Sequence, residues 1–333
     1  MSGAGVLAGL GTALPAHRVT NEELSLRLET SDEWIRSRTG IRQRYWSQGT
    51  AATSDLAVEA GRKALKSAGS DTVDLVLLAT TTPDHPCPAT APDVASRLGL
   101  GTVAAYDIAA VCSGFVYGLA SAAAYITAGL ADSALVIGAE TYSTILDPQD
   151  RATSVIFGDG AGAAVLRSGR ADEPGAFFGF DLGSDGTLKD LIVIPGGGSR
   201  ERTAVAGSVP TGTYFTMQGK PVFRHAVTRM AASAATVLAR VDWPTASVDW
   251  FVGHQANARI LHAVADQLGI DRQRVVIDLD RVGNTSAASI PLALTRAAGE
   301  KLLTAGDRVL LSAFGGGATW GSAALVWPDI TAL

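Results

Sequence analysis

Val73-Asp74-Leu75-Val76-Leu77-Leu78 and Val248-Asp249-Trp250-Phe251-Val252 are the two runs from which the architecture can be read. Each is short and β-rich, and each follows a helix-like stretch, Leu56 to Ala68 in one case and Val222 to Arg240 in the other. Alternation of this kind marks an α/β layered protein. Asp74 and Asp249 stand 175 residues apart, and so do Asp132, before the strand-like Ala134–Ile137, and Asp307, before Val309–Leu311. Between these markers, Val103–Ile108 leads to Cys112 and an Ala-rich helix. In the other half, Val275–Leu279 leads to Asn284 and a helix from Ala287 to Ala298, at a spacing of 172. Three ordered markers at nearly one spacing indicate an internal duplication. The expected halves are residues 1–170 and 171–333, divided near the polar segment Ser168–Pro174. Cys112 and Asn284 then take pseudo-equivalent places, each where a strand turns into a buried helix, and a seam between the halves brings the two turns together.

The composition agrees with a large folded core. Of 333 residues, 47% are hydrophobic and 18% charged, which excludes a disordered chain or a small disulfide-stapled module. The net charge of −5 and the lack of a basic run argue against nucleic acid or an anionic membrane as main partner. Two cysteines, Cys87 and Cys112, are too few for a disulfide framework, so both read as thiols in a reducing cytoplasm. Met1 to Pro15 lacks a basic start and a cleavage site. Ile108 to Ala131 carries no charge and is long enough to cross a bilayer, but its glycines and hydroxyl residues fit a helix buried inside a protein better.

Cys112 precedes Ser113-Gly114 at the start of a helix, where unpaired N–H groups favour a thiolate; an inert buried thiol is the competing reading. Cys87, between Pro86 and Pro88, has no such dipole and reads as a loop or pocket-wall residue. Among the five histidines, His254 stands out because it directly follows a strand, where α/β proteins place functional groups, although it can equally cap a helix. The other four show no metal-ligand spacing, and no metal is expected. Asn284 can be a helix cap or a hydrogen-bond donor to an oxygen gaining charge. The glycine cluster Phe157–Gly162 fits neither a dinucleotide fingerprint nor a P-loop. The other cluster, Phe314–Trp320, can expose backbone N–H groups or simply turn tightly.

Taken together, Thr30–Ile35, Arg38–Arg42, Cys112–Phe115, Asp150-Arg151, Phe157–Gly162, His254–Asn257, Gly283–Ser289 and Phe314–Gly321 resemble β-ketoacyl-acyl-carrier-protein synthase III, the initiating condensing enzyme of type II fatty acid synthesis. The resemblance runs nearly end to end. It implies the thiolase-like α/β fold, with two duplicated halves in a five-layer αβαβα arrangement, and a homodimer without a cofactor. It also implies a reaction: Cys112 takes an acyl group from acyl-CoA, malonyl-carrier protein loses CO2, and the resulting carbanion attacks the acyl-cysteine. His254 and Asn284 would complete the triad, with the amides of Cys112 and Gly316 as oxyanion hole. Trp34 would stack on adenine with Arg151 on the other face, and Arg38, Lys220 and Phe223 would line the CoA path. The acyl pocket would include Cys87, Phe157, Met217 and Phe314, and Arg224 and Arg259 would meet the acidic carrier.

Several positions depart from the family pattern. Gly253 stands where Pro is common, which leaves the approach to His254 less restrained. Lys220 stands for Asn, and Asp266-Gln267 for a basic pair. Cys87 replaces a large Phe that reaches across the dimer in acetyl-specific members, which implies room for a branched or longer primer. Two other readings compete: an acyltransferase using the same Cys112 without decarboxylation, and a non-catalytic partner subunit of a condensing complex. The intact Cys112, His254 and Asn284 argue against both.

Overall fold

In the computed structural model, which describes residues 3–202 and 212–333, the two β-rich runs become strands, one inside the first sheet and one at the edge of the second. The first sheet comprises β1 (Gly3–Ala13), β2 (Leu75–Ala79), β3 (Ala104–Ile108), β4 (Ser133–Glu140) and β5 (Gly160–Arg170), in spatial order β1-β5-β4-β2-β3. The second comprises β6 (Phe177–Ser184), β7 (Trp250–Gly253), β8 (Arg308–Gly315) and β9 (Thr319–Val326), in order β7-β8-β9-β6. The six main helices are α1 (Asp32–Thr39), α2 (Thr53–Ala68), α3 (Gly114–Thr127), α4 (Gly219–Arg240), α5 (Ala258–Leu268) and α6 (Ser289–Gly299).

The duplication is visible in the strand register. Leu75 pairs with Ala134 in parallel, and Trp250 pairs with Val309 in parallel, each position displaced by 175. The two aspartates do the same work in both halves. Asp74 Oδ2 accepts the Ser133 N–H at 2.9 Å and Asp249 Oδ2 accepts the Arg308 N–H at 2.8 Å, so each carboxylate pins the start of the neighbouring strand. Because helices cover both faces of each sheet, the central strands are apolar at every position rather than alternating. Val76 and Leu78 pack against α2, whereas Leu75 and Leu77 face α3 and α6. On the far side of those two helices lie Val309 and Leu311 of the second sheet, whose outer face, with Phe251 and Leu310, packs on α4 and α5. The layers are therefore αβαβα, the thiolase-like arrangement.

α3 explains the charge-free stretch. It is 14 residues long and sandwiched between two sheets, and no helix among the described residues is long and apolar enough to cross a membrane.

Two expectations are corrected. The run Val275–Leu279 is not a strand, for only the bridge Phe251–Val275 forms and Leu279 begins a short helix, Leu279–Val282. The Gln255 side chain takes over its hydrogen bonding, accepting from the N–H groups of Asp278 and Leu279 and donating to Gly253 and Val276 carbonyls. The second correction concerns the paired turns. The 3₁₀ turns Val111–Ser113 and Ser286–Ala288 precede α3 and α6, and Val111 (φ 47°) and Ser286 (φ 48°), 175 residues apart, share a positive φ. By that offset the counterpart of Cys112 is Ala287. Asn284 lies three residues earlier because it still belongs to the extended chain, where it bridges Phe157. The turns meet at the seam because Gly138 has no side chain: a Cβ there would lie 2.3 Å from the Ala287 carbonyl oxygen.

Candidate active site

Cys112, His254 and Asn284 line one almost wholly apolar cavity, with exposures of 7%, 3% and 4%. Cys112 is held in the turn ahead of α3, and the loop after β8 closes on its main chain. A Cβ on Gly315 would lie 2.8 Å from the Cys112 nitrogen, so only glycine lets the Gly315-Gly316 backbone reach it. The helix N-terminus does not yield a resting thiolate. Burial pushes the Cys112 thiol up to about 12, opposed by the Ser286 hydroxyl and reinforced by the Glu140 carboxylate. Desolvation of the anion is the largest influence on this thiol.

His254 does not cap α5; the Asn257 side chain does, by accepting the Arg259 N–H. The His254 N–H is bonded to the Ser312 carbonyl at 2.8 Å, and Nδ1 lies 2.7 Å from Ser289 Oγ, so strand pairing and one hydroxyl fix the ring. Burial lowers its pKa to about 3, which makes it a neutral imidazole. Gly253 is restrained after all: it is buried, paired with Ser312 in the ladder, and a Cβ there would meet Leu261 Cδ2 at 2.4 Å. Asn284 is held from both sides, donating its N–H to the Ile156 carbonyl and accepting from Gly158 N–H. Its Oδ1 accepts the Ser286 N–H at 2.9 Å, which commits that atom to the turn and leaves Nδ2 as the side chain's donor. Ser289→Ala leaves His254 Nδ1 without this partner, and a roughly tenfold fall in the step that uses the imidazole is expected, measurable in single-turnover assays with KM for acyl-CoA unchanged.

Phe157, Met217 and Phe314 line this cavity, together with Phe215 and Met230, to which the sequence did not point. Cys87 is exposed and does not line this cavity within its own chain. Trp34, Arg38, Lys220 and Phe223 line a cleft that adjoins the cavity, with Met217, Val222, Ala256, Ile260 and Asn284 common to the walls of both. The guanidinium groups of Arg38 and Arg151 each lie 4.8 Å from the Trp34 ring centroid, and Arg151 also donates to the Glu29 carbonyl. Arg224 on α4 and Arg259 on α5 are exposed beside cleft residues, whereas Asp266 is paired with Arg272 at 2.6 Å.

Residues 106–186 match the family described as 3-oxoacyl-[acyl-carrier-protein (ACP)] synthase III, and residues 238–327 match its C-terminal counterpart. Beta-ketoacyl-[acyl-carrier-protein] synthase III 5 of Streptomyces coelicolor is 81% identical over 333 residues, 100% of both chains. This chain belongs to the synthase III family. A solved 3-oxoacyl-(acyl carrier protein) synthase III, from Pseudomonas aeruginosa PAO1, is 52% identical, with a TM-score of 0.92 over 98% of this chain and 99% of that one. The priming beta-ketosynthase of the R1128 polyketide pathway is 32% identical, with a TM-score of 0.90 over 98% and 97%. As a synthase III, the chain also carries three polar residues at the site that its motifs did not single out: Ser286, Ser289 and Glu140. The serines sit inside Gly283–Ser289 and were readable as helix-start residues; Glu140 had only its place at the end of β4 to mark it.

Proposed function

We propose that the chain condenses an acyl-CoA primer with malonyl-carrier protein, releasing CoA and CO2 and forming a β-ketoacyl-carrier protein. The observation that carries this is the convergence of Cys112, His254 and Asn284 on one cavity that adjoins the Trp34–Lys220 cleft. Cys112 is the nucleophile and keeps the acyl group on sulfur. The amides of Cys112 and Gly316 hold the tetrahedral oxyanion. We assign the imidazole proton of His254 to Nε2, because Ser289 Oγ already accepts the Gln255 N–H at 3.3 Å and can give its own hydrogen to Nδ1. A neutral Nε2–H and the Asn284 Nδ2–H then donate to the malonyl thioester oxygen as it becomes an enolate. A charged imidazolium is not needed, which agrees with the buried, neutral ring.

For CoA, the indole of Trp34 offers adenine a face once Arg151 swings aside, and Arg38 and Lys220 supply charge for phosphates and the pantetheine arm. Trp34→Ala is expected to raise KM for acyl-CoA roughly tenfold, the scale of one base–aromatic stack, without changing KM for the malonyl-carrier substrate. Arg224 and Arg259 meet an acidic carrier.

The working unit is a homodimer. β3 ends the first sheet, and Tyr106 and Ile108 on it are only half-buried, an open edge that a second copy can pair. In that dimer, exposed Cys87 reaches the partner's acyl pocket and leaves room for primers bulkier than acetyl. The division of the chain at residue 170 follows the same reading, as β5 ends at Arg170.

The test is intact-protein mass spectrometry with a panel of acyl-CoAs, followed by malonyl-carrier protein. An adduct on Cys112 that is discharged with CO2 release is expected, with branched or longer primers preferred over acetyl. An adduct that a competent malonyl-carrier cannot discharge would favour plain acyl transfer, and no adduct with any thioester would overturn the enzyme reading.

A further inference from the structure

Glu140, the last residue of β4, is fully buried behind the nucleophile. Its Oε2 accepts the Thr81 N–H at 2.9 Å and the Thr82 hydroxyl at 3.1 Å, from the loop after β2. Among the described residues its Oε1 has no hydrogen-bond partner. The same holds for three buried oxygens around it: Thr81 Oγ1, Tyr142 OH and Ser286 Oγ. The turn that carries Ser286 is seated against β4, where a Cβ on Gly138 would lie 2.3 Å from the Ala287 carbonyl oxygen, and the Ser286 hydroxyl there influences Cys112, Glu140 and Tyr142. So many unpaired polar atoms in one buried spot are costly, and folded proteins keep few of them without a purpose. The titratable groups facing Glu140 are Cys112, from the turn before α3, and Tyr142, just beyond β4. No cation is hydrogen-bonded to it among the described residues, so nothing fixes its charge.

We propose that Glu140, acting through Ser286, takes the proton of the Cys112 thiol when the enzyme is acylated. The inference rests on Cys112 being the nucleophile. The thiol proton passes to Ser286 Oγ as the Ser286 hydroxyl proton passes to Glu140 Oε1. The freed sulfur attacks the thioester carbonyl, the new S–C bond forms, the C–S bond to CoA breaks, and CoA leaves as a thiolate that takes a proton from water. Glu140 keeps its proton until condensation expels Cys112 as a thiolate, when the same two hops return it. Over the cycle one solvent proton is consumed, as decarboxylation of a malonyl carboxylate requires. His254 is a poor alternative acceptor, since its Nδ1 is engaged by Ser289 and its surroundings are mostly apolar. A thiol buried as Cys112 is needs a local acceptor of this kind to react near neutral pH. Burial sets Glu140 at about 7, which suits the role.

The experiment follows the rate of Cys112 alkylation by iodoacetamide against pH, with peptide mass mapping to separate Cys112 from exposed Cys87. The wild-type rate should rise through an inflection near pH 7, where Glu140 ionises. In Glu140→Gln the inflection should vanish and the neutral-pH rate fall about a hundredfold, a typical contribution of general-base catalysis. Glu140→Asp should restore the inflection, and Ser286→Ala should lose it while keeping the carboxylate. A wild-type profile without that inflection, or a Glu140→Gln profile parallel to wild type, overturns the proposal. Should Glu140→Gln not fold, the wild-type and Ser286→Ala profiles decide alone. Acyl-CoA adduct formation by the wild-type enzyme, measured in parallel, reports separately on Cys112 as nucleophile.

Discussion

Asn284→Asp should still form acyl-Cys112 but release CO2 from malonyl-carrier protein about two to three orders of magnitude more slowly, the cost of losing one preorganised donor to a developing oxyanion. The geometry makes this substitution selective. Asn284 Oδ1 is held by the Ser286 N–H at 2.9 Å, and an aspartate oxygen can accept the same bond, so the Ser286–Ala288 turn at the seam with Cys112 should survive. What changes is the atom facing the cavity. Nδ2–H becomes a carboxylate oxygen, which cannot donate and repels the enolate. Acylation does not pass through an enolate and depends on Cys112 and the amides around it, so it should be affected far less. Single-turnover mass spectrometry gives the acylation rate, and trapped CO2 with carrier-product analysis gives the second step. Undiminished CO2 release from this variant would remove Asn284 from the mechanism. A fall in acylation of equal size would show instead that the turn had been disturbed.

The same residue shows how much of the site was legible in the chain. The duplication could be read because Asp74 and Asp249 each pin a neighbouring strand, a job that demands the same residue at the same offset. The strand-to-helix turns could be read from their place in that repeat. The spacing of 172 rather than 175 between Cys112 and Asn284 was visible but its cause was not, because it depends on Asn284 remaining in an extended bridge with Phe157 before the turn begins. The missing strand at Val275–Leu279 was hidden for a related reason: a single side chain, Gln255, supplies the hydrogen bonds that a neighbouring strand would have supplied. The protonated state of Cys112 was not legible either. A helix start and a glycine suggest an activated thiolate, but burial and the Glu140 charge come from segments distant in sequence and oppose it. Glu140 itself, in Gly138-Ala139-Glu140, reads as the polar end of a strand until the second turn, Ser286–Ala288, folds over it.

Glu140→Gln should make the protein more stable at neutral and alkaline pH, and the gain should disappear in acid. Burial raises the Glu140 pKa from 4.5 to about 7, with the hydrogen bonds from Thr81 and Thr82 only partly opposing it. The folded state therefore binds this proton more tightly than the unfolded chain does. Stability due to this group is fully present below pH 4.5, declines as pH rises towards 7, and stays at its lower level beyond. Across that window the loss is on the order of 3 kcal/mol. Glutamine has no charge to bury, and its amide oxygen can still accept the Thr81 N–H and Thr82 hydroxyl. The difference in Tm between variant and wild type should thus be small near pH 5 and grow to several degrees by about pH 8. Taking the difference cancels every other titrating group common to both proteins, so calorimetry at a series of pH values isolates Glu140. A Tm difference that does not vary with pH would mean that Glu140 ionises like a solvated carboxylate, and a variant less stable at every pH would mean that its hydrogen bonds need the charge. The expected result sets stability against reactivity at one position: the carboxylate whose burial costs the fold at neutral pH bears on the sulfur that must lose its proton there.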